Sequence, residues 1–201
     1  MKIRPSWRRQ ATAALLLLMA GACGRRPDPL DQPAPTGLAV EPPSQRPLSD
    51  VYPLGLRGEP PADTTVMVAA DSARVIDVFH IPPDHTIFAQ LIFAEHGLKA
   101  AGGDSMQVSI KARPGIYAVD VATTGTFAKP ALLVFHYPVH FEAPASALGR
   151  YPTNREFEAA LWIGRMDGEG TITFLRSDRP ASDKLVAAID RPGTYIVAAP
   201  K

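Results

Sequence analysis

The sequence predicts an all-β fold, an antiparallel two-sheet β-sandwich that follows a signal peptide and a Pro-rich stalk. Three observations carry this expectation. From about residue 63 onward, short runs rich in Val, Ile, Thr, Phe and Tyr are separated by clusters of Gly, Pro, Asp and Ser, as strands are by turns. Ten such runs fall within about 140 residues, a density that suits two packed sheets. Helical signals are confined to two short stretches.

Taken in order, the predicted strands cover residues 65–69, 74–81, 86–93, 106–111, 116–122, 131–137, 159–165, 171–176, 184–190 and 194–199. In the fifth, Tyr117, Val119 and Val121 share one face while Ala118, Asp120 and Ala122 share the other, the period of a half-buried strand. The sixth is apolar without a break over 131–135, which predicts a central position. Residues 144–148 have room for one helical turn. Residues 154–160 have a capping residue, with Glu156 and Glu158 in the first turn, where the helix dipole favours anions. Met166-Asp167-Gly168-Glu169-Gly170 predicts a hairpin turn, because its glycines can take positive φ. Arg191-Pro192-Gly193 predicts a second tight turn into the last strand.

Ahead of these strands the N-terminus has the three-part layout of an export signal. Residues 1–9 are basic, residues 11–19 are apolar, and Ala20-Gly21-Ala22 are small and stand before Cys23. The apolar stretch measures roughly 14 Å as a helix, whereas a bilayer core needs about 20 residues. It is too short to span. Cys23 directly after the small residues resembles the bacterial lipobox, with Ala20 where that pattern usually has Leu. The resemblance implies that residues 1–22 are removed and that the membrane is the first partner, through lipid on Cys23. It also accounts for the single cysteine, since a thioether cannot mispair as a free exported thiol does. More than one acyl chain on a residue gives stable anchoring. Gly24, where Asp would resemble an inner-membrane retention signal, implies a bacterial outer membrane. The residues after Arg8-Arg9 fit a twin-arginine signal poorly.

Prolines are frequent from Pro27 to Pro61, and large apolar residues are few. Such a stretch cannot bury enough surface to fold, and it favours extended polyproline geometry. At about 3 Å per residue it reaches up to roughly 100 Å. The expected organisation is a leader at 1–22, a Pro-rich linker at 23–61 and the sandwich domain at 62–201. Val51, Tyr52, Leu54 and Leu56 interrupt the linker, so its last third is expected to pack on the domain as an edge segment.

In the C-terminal half the order of features has a precedent. Phe127-Ala128-Lys129-Pro130 leads into the strand ending at Tyr137. Leu161-Trp162-Ile163-Gly164-Arg165, the Asp167-Gly168 turn, the strands at 171–175 and 184–190, and Gly193-Thr194-Tyr195-Ile196-Val197 follow. This resembles the β-sandwich domain named after zonula-occludens proteins and netrin receptors, in its divergent bacterial exported forms. The resemblance covers residues 127–199 and implies a sandwich. Some members of that family cleave themselves at a His-Phe-Ser site. Here His140-Phe141 is followed by Glu142, which supplies no hydroxyl nucleophile, so self-cleavage is not carried over.

Charge and motifs narrow the function classes. The full chain carries 21 basic and 20 acidic residues, and removing a leader that holds four cations leaves about −3. That balance argues against nucleic acid as a partner, which needs a basic face. The histidines His80, His85, His96, His136 and His140 invite a metal reading, but zinc needs three or four ligands on one point and no spacing demands it. On a regular strand His136 and His140 lie about 13 Å apart. Ser105, Ser109, Ser146, Ser177 and Ser182 lack a nucleophile elbow, and the carboxylate pairs Glu156/Glu158 and Asp178/Asp183 read as solvated or helix-start charges. No catalytic residue, cofactor or metal is assigned. The expected function is a lipid-anchored envelope module, non-catalytic, working through loops or a sheet edge on an envelope protein or glycan. Two other readings stay open: an envelope hydrolase or metal enzyme using histidines and loop acids, and a carbohydrate module using exposed Trp162 or tyrosines.

Overall fold

A computed structural model describes residues 41–81, 85–137 and 143–201. The leader, Cys23, most of the stalk, Asp84 and His140-Phe141-Glu142 lie outside the described residues. Fifteen strands run in chain order: β1 (Arg46–Pro47), β2 (Val51–Pro53), β3 (Thr64–Ala69), β4 (Arg74–Phe79), β5 (Ile87–Phe93), β6 (Leu98–Lys99), β7 (Ser105–Ala112), β8 (Ala118–Thr123), β9 (Thr126–Phe127), β10 (Ala131–His136), β11 (Trp162–Met166), β12 (Thr171–Phe174), β13 (Ser177–Asp178), β14 (Lys184–Ile189) and β15 (Gly193–Pro200). One short helix, α1 (Asn154–Ala159), and two 3-10 turns, Leu48–Asp50 and Ala145–Ala147, complete the elements among the described residues.

Thirteen of these strands form two main antiparallel sheets, an all-β sandwich as the sequence predicts, and β6 pairs with β9 in a third, two-stranded sheet. The larger sheet has the order β1-β12-β11-β15-β8-β7-β3, with β2 added beside β15, and the smaller has β13-β14-β10-β5-β4. Their facing side chains make one core. Val68, Val108, Ile110, Val119, Ile163, Tyr195 and Val197 come from the larger sheet, against Ile76, Val78, Leu91, Leu133, Phe135, Leu185 and Ile189 from the smaller. At its centre Phe88 stacks on Tyr117 with ring centroids 5.1 Å apart and meets Phe135 edge-on at 6.0 Å, arrangements the ring quadrupoles favour. The unbroken apolar run becomes β10, the middle strand of its sheet.

All ten predicted strands are present, with ends within three residues of expectation. The largest discrepancy has a local cause. The strand expected from residue 159 begins at Trp162, because Thr153 caps α1 through a reciprocal capping box with Glu156, and the helix runs to Ala159 before Ala160 closes it. The Asp167-Gly168 turn is the predicted hairpin between β11 and β12. Asp167 Oδ1 accepts the N–H groups of Glu169 at 3.0 Å and Thr171 at 2.8 Å, and Gly170 takes φ +81°.

The linker assignment needs correction at its C-terminal end. Leu54 is fully buried, Val51 and Leu56 are buried with it, and β2 pairs with β15 through Val51–Pro200, Tyr52–Ala199 and Pro53–Ala198. β2 has only β15 as a strand partner, so the segment packs as the expected edge, while Leu54 is held on both sides, its N–H donating to the Val197 carbonyl and its carbonyl accepting from Tyr117. Four residues earlier, β1 pairs with β12. A single stretch of backbone therefore bonds both β12 and β15. Across the outer face of the larger sheet, Val51, Ala118, Trp162, Ile172, Phe174, Ile196 and Ala198 form a second buried cluster. Gly164 lies under it, where a Cβ would overlap Ile172 Cγ2. These side chains are why prolines on either side do not keep residues 51–56 unfolded: burial of several large apolar groups outweighs the cost of ordering the chain.

Candidate functional site

The four described histidines are not brought together. The His80 ring packs edge-on against Phe88 at 5.2 Å and near Tyr117 at 6.4 Å, which places it on the rim of the core. His85 and His96 occupy positive-φ turn positions, at +43° and +55°. His136 is buried on the outer face of the smaller sheet, with Nε2 donating to Gln90 Oε1 at 2.8 Å. Gln90 Nε2 in turn donates to Asp77 Oδ1 at 2.7 Å. Burial, joined by the positive charge of Lys184, holds this imidazole below its ordinary pKa. His140 lies outside the described residues. Among the described residues no group of three or more His, Cys, Asp or Glu side chains could hold a metal ion.

The hydroxyl and aromatic candidates are mostly spent on structure. Ser177 Oγ accepts the Ile163 N–H at 3.0 Å and donates to the Leu175 carbonyl at 2.9 Å, where the chain leaves the larger sheet for the smaller. Glu156 is the capping-box residue. Trp162 is only 9% exposed and belongs to the second cluster, so it offers no exposed platform for a sugar. Tyr117, Tyr137 and Tyr195 are buried, which pushes each phenol up to about 12. The Tyr195 hydroxyl donates to the Arg191 carbonyl at 2.5 Å, pinning the turn before its strand.

A shallow cleft of about 460 Å³ opens between the Leu48 turn, the β11–β12 hairpin and Arg113. Its charged groups are already matched. Arg113 Nε donates to both Asp120 oxygens at 3.1 Å, its Nη2 lies 2.9 Å from Asp120 Oδ1, and Thr194 Oγ1 donates to the same carboxylate at 2.6 Å. Burial alone would raise the Asp120 carboxyl pKa, but the bonds from Arg113 and Thr194 outweigh it and hold the group below its ordinary value. Asp167, on the opposite rim, is occupied by two backbone N–H groups. Neither sign of charge is left over to select an ion.

The other accessible feature is a strand edge. Among the described residues the two main sheet orders end on four strands, and three of these, like the three-residue β2 with its Pro53, are blunted in ways that discourage further pairing. β1 is two residues long and contains Pro47, and β13 is two residues long and carries Asp178. β4 carries Arg74 and Asp77 and has a register break between Val78 and Phe79. β3 has none of these devices. Its six residues, Thr64-Thr65-Val66-Met67-Val68-Ala69, are uncharged, unbroken and free of proline, and Met67 is 63% exposed.

The hydrogen-bond phase of β3 follows from its neighbours. Ala70 N–H donates to the Asp104 carbonyl, one position beyond the Ala69–Ser105 pair, so the even-numbered residues face β7. Gln107, opposite Met67, exchanges its backbone bonds with Thr124 on the far side, which agrees. The backbone N–H and C=O groups of Thr65 and Met67 therefore point outward, as does the Ala69 N–H, while the Ala69 carbonyl accepts from Ser72 at 3.4 Å. Residue-type counting at 65–69 predicts a strand but not its place in a sheet, and the edge becomes visible only from the pairing. Comparison with protein-family models, with curated proteins and with solved structures gives no match.

Proposed function

We propose that this chain is a lipid-anchored protein of the bacterial outer membrane whose β-sandwich is a non-catalytic binding or structural module. The observation that carries the binding role is the unprotected outer edge of β3, where Thr65 and Met67 present paired donors and acceptors beside an exposed Met67 side chain. An extended segment can add to such an edge through main-chain hydrogen bonds, with alternate side chains setting specificity. Anchoring is supported by the leader layout and the position of Cys23. The order of turns and strands over 127–199 supports kinship with the zonula-occludens and netrin-receptor domain. The matched charges of the cleft favour the edge over the cleft as the working surface.

Two measurements test this reading in cells. Wild type should incorporate labelled fatty acid and fractionate with outer membranes, and Cys23→Ser should lose the label. Retained label in that variant would remove the anchor. A photoreactive amino acid placed at Met67 should then yield adducts in the envelope, whereas the same group at Glu169 on the opposite hairpin should not. Equal adduct yields at both positions would remove the edge as the contact surface.

A further inference from the structure

We infer that the occupant of the β3 edge is the β3 edge of a second copy of this chain, paired antiparallel in a register centred on Val66. This rests on the edge-binding reading above and names its partner. Charge is the first argument: Thr64–Ala69 carries none, so two copies meet without like-charge repulsion. Face matching is the second. A two-fold axis perpendicular to the sheet places like faces together, so the inward Val66 and Val68 must oppose inward residues of the other copy. Only registers that pair residues of the same parity satisfy this.

Two registers use the outward backbone groups well, and acidic residues separate them. Centring on Met67 sets Asp63 opposite Asp71 of the second copy, at both ends of the ladder. Centring on Val66 sets Asp63 opposite Ala69, Thr65 opposite Met67 and Thr64 opposite Val68. Thr65 and Met67 are the residues whose N–H and C=O groups point outward, so each forms a doubly bonded pair with its opposite. Val66 meets itself at a non-hydrogen-bonded position, where side chains approach most closely. The pairing continues the larger sheet across the axis, covers Met67 with Thr65 and extends the buried Val68 row against Thr64.

The full chain with Cys23→Ala has no other thiol, so single cysteines on β3 report the register directly. Mild oxidation of that chain carrying Val66→Cys should double its apparent mass, while Met67→Cys should stay monomeric. A Met67→Cys dimer with no Val66→Cys dimer would overturn the register. Without introduced thiols, sedimentation should show a dimer that Met67→Lys converts to a monomer still folded by circular dichroism and still melting cooperatively. A monomer in the parent chain, still folded by circular dichroism, would overturn the second-copy occupant. Photoadducts at Met67 of heterologous mass with no doubled species would do so as well, leaving edge binding intact. Loss of edge binding itself would show as no adduct of either kind. Anchoring fails separately, in the fatty-acid experiment, because the dimer assay uses no lipid.

Discussion

At Ser177 a single hydroxyl joins the two sheets, taking the Ile163 N–H and giving its proton to the Leu175 carbonyl in a buried setting. Ser177→Ala leaves both backbone groups without that partner, and an unsatisfied buried polar group costs about 1–3 kcal/mol. Urea unfolding should show that loss, and an unchanged midpoint would mean that water enters the site. Asp120 gives a pH test. Its folded pKa is depressed, so its contribution is fully present above the unfolded value of about 4 and is lost as pH falls through the lower folded value. Asp120→Asn should flatten the dependence of stability on pH in that acid window, measured by denaturant titration from neutral pH downward. An acid limb as steep as wild type would show that the Arg113–Asp120–Thr194 group is too solvated to matter.

The ten main strands are legible from residue types because each fills a half-buried surface, and the middle place of β10 follows from its unbroken apolar run. Short elements are not. β1, β6, β9 and β13 are two residues each and exist only because a neighbour offers a ladder, a non-local fact that no window of sequence contains. The packing of the segment through Leu54 is legible in its large apolar residues, but its pairing with β15 is not, because the prolines around it fix the backbone without naming its neighbour. Trp162 reads from sequence as a candidate platform, yet it is buried in the second cluster with Ile172 and Phe174, which pack over the bare backbone of Gly164. Gly164→Val should test that packing. Its added methyls meet Ile172 and Phe174, and overpacking of this kind costs about 1–3 kcal/mol in thermal or urea unfolding. Stability equal to wild type would show that β12 can shift outward freely.

For the whole molecule the folded unit begins earlier than composition suggests. A chain starting at Asp63 removes the buried side chains of Val51, Leu54 and Leu56 and the strand they sit on. Full burial of each such side chain is worth about 1.5–3 kcal/mol, and small domains have only about 5–15 kcal/mol in total. The truncation starting at Asp63 should therefore lack a cooperative melting transition, while one starting at Glu41 should keep it. Cooperative melting of the shorter chain would show that β2 is dispensable.

The segment Arg46–Leu56 also decides how the domain bears a pull. Under the proposed anchoring through Cys23, tension from the membrane would arrive along β1 and β2, which are bonded to β12 on one side and β15 on the other. Force directed along β2 loads its hydrogen bonds together, in shear, and does not peel them singly. The domain would then resist detachment by its unfolding rate under load more than by its equilibrium stability. What composition assigns to the stalk is, from Arg46 onward, the rivet that would hold the body to its proposed anchor.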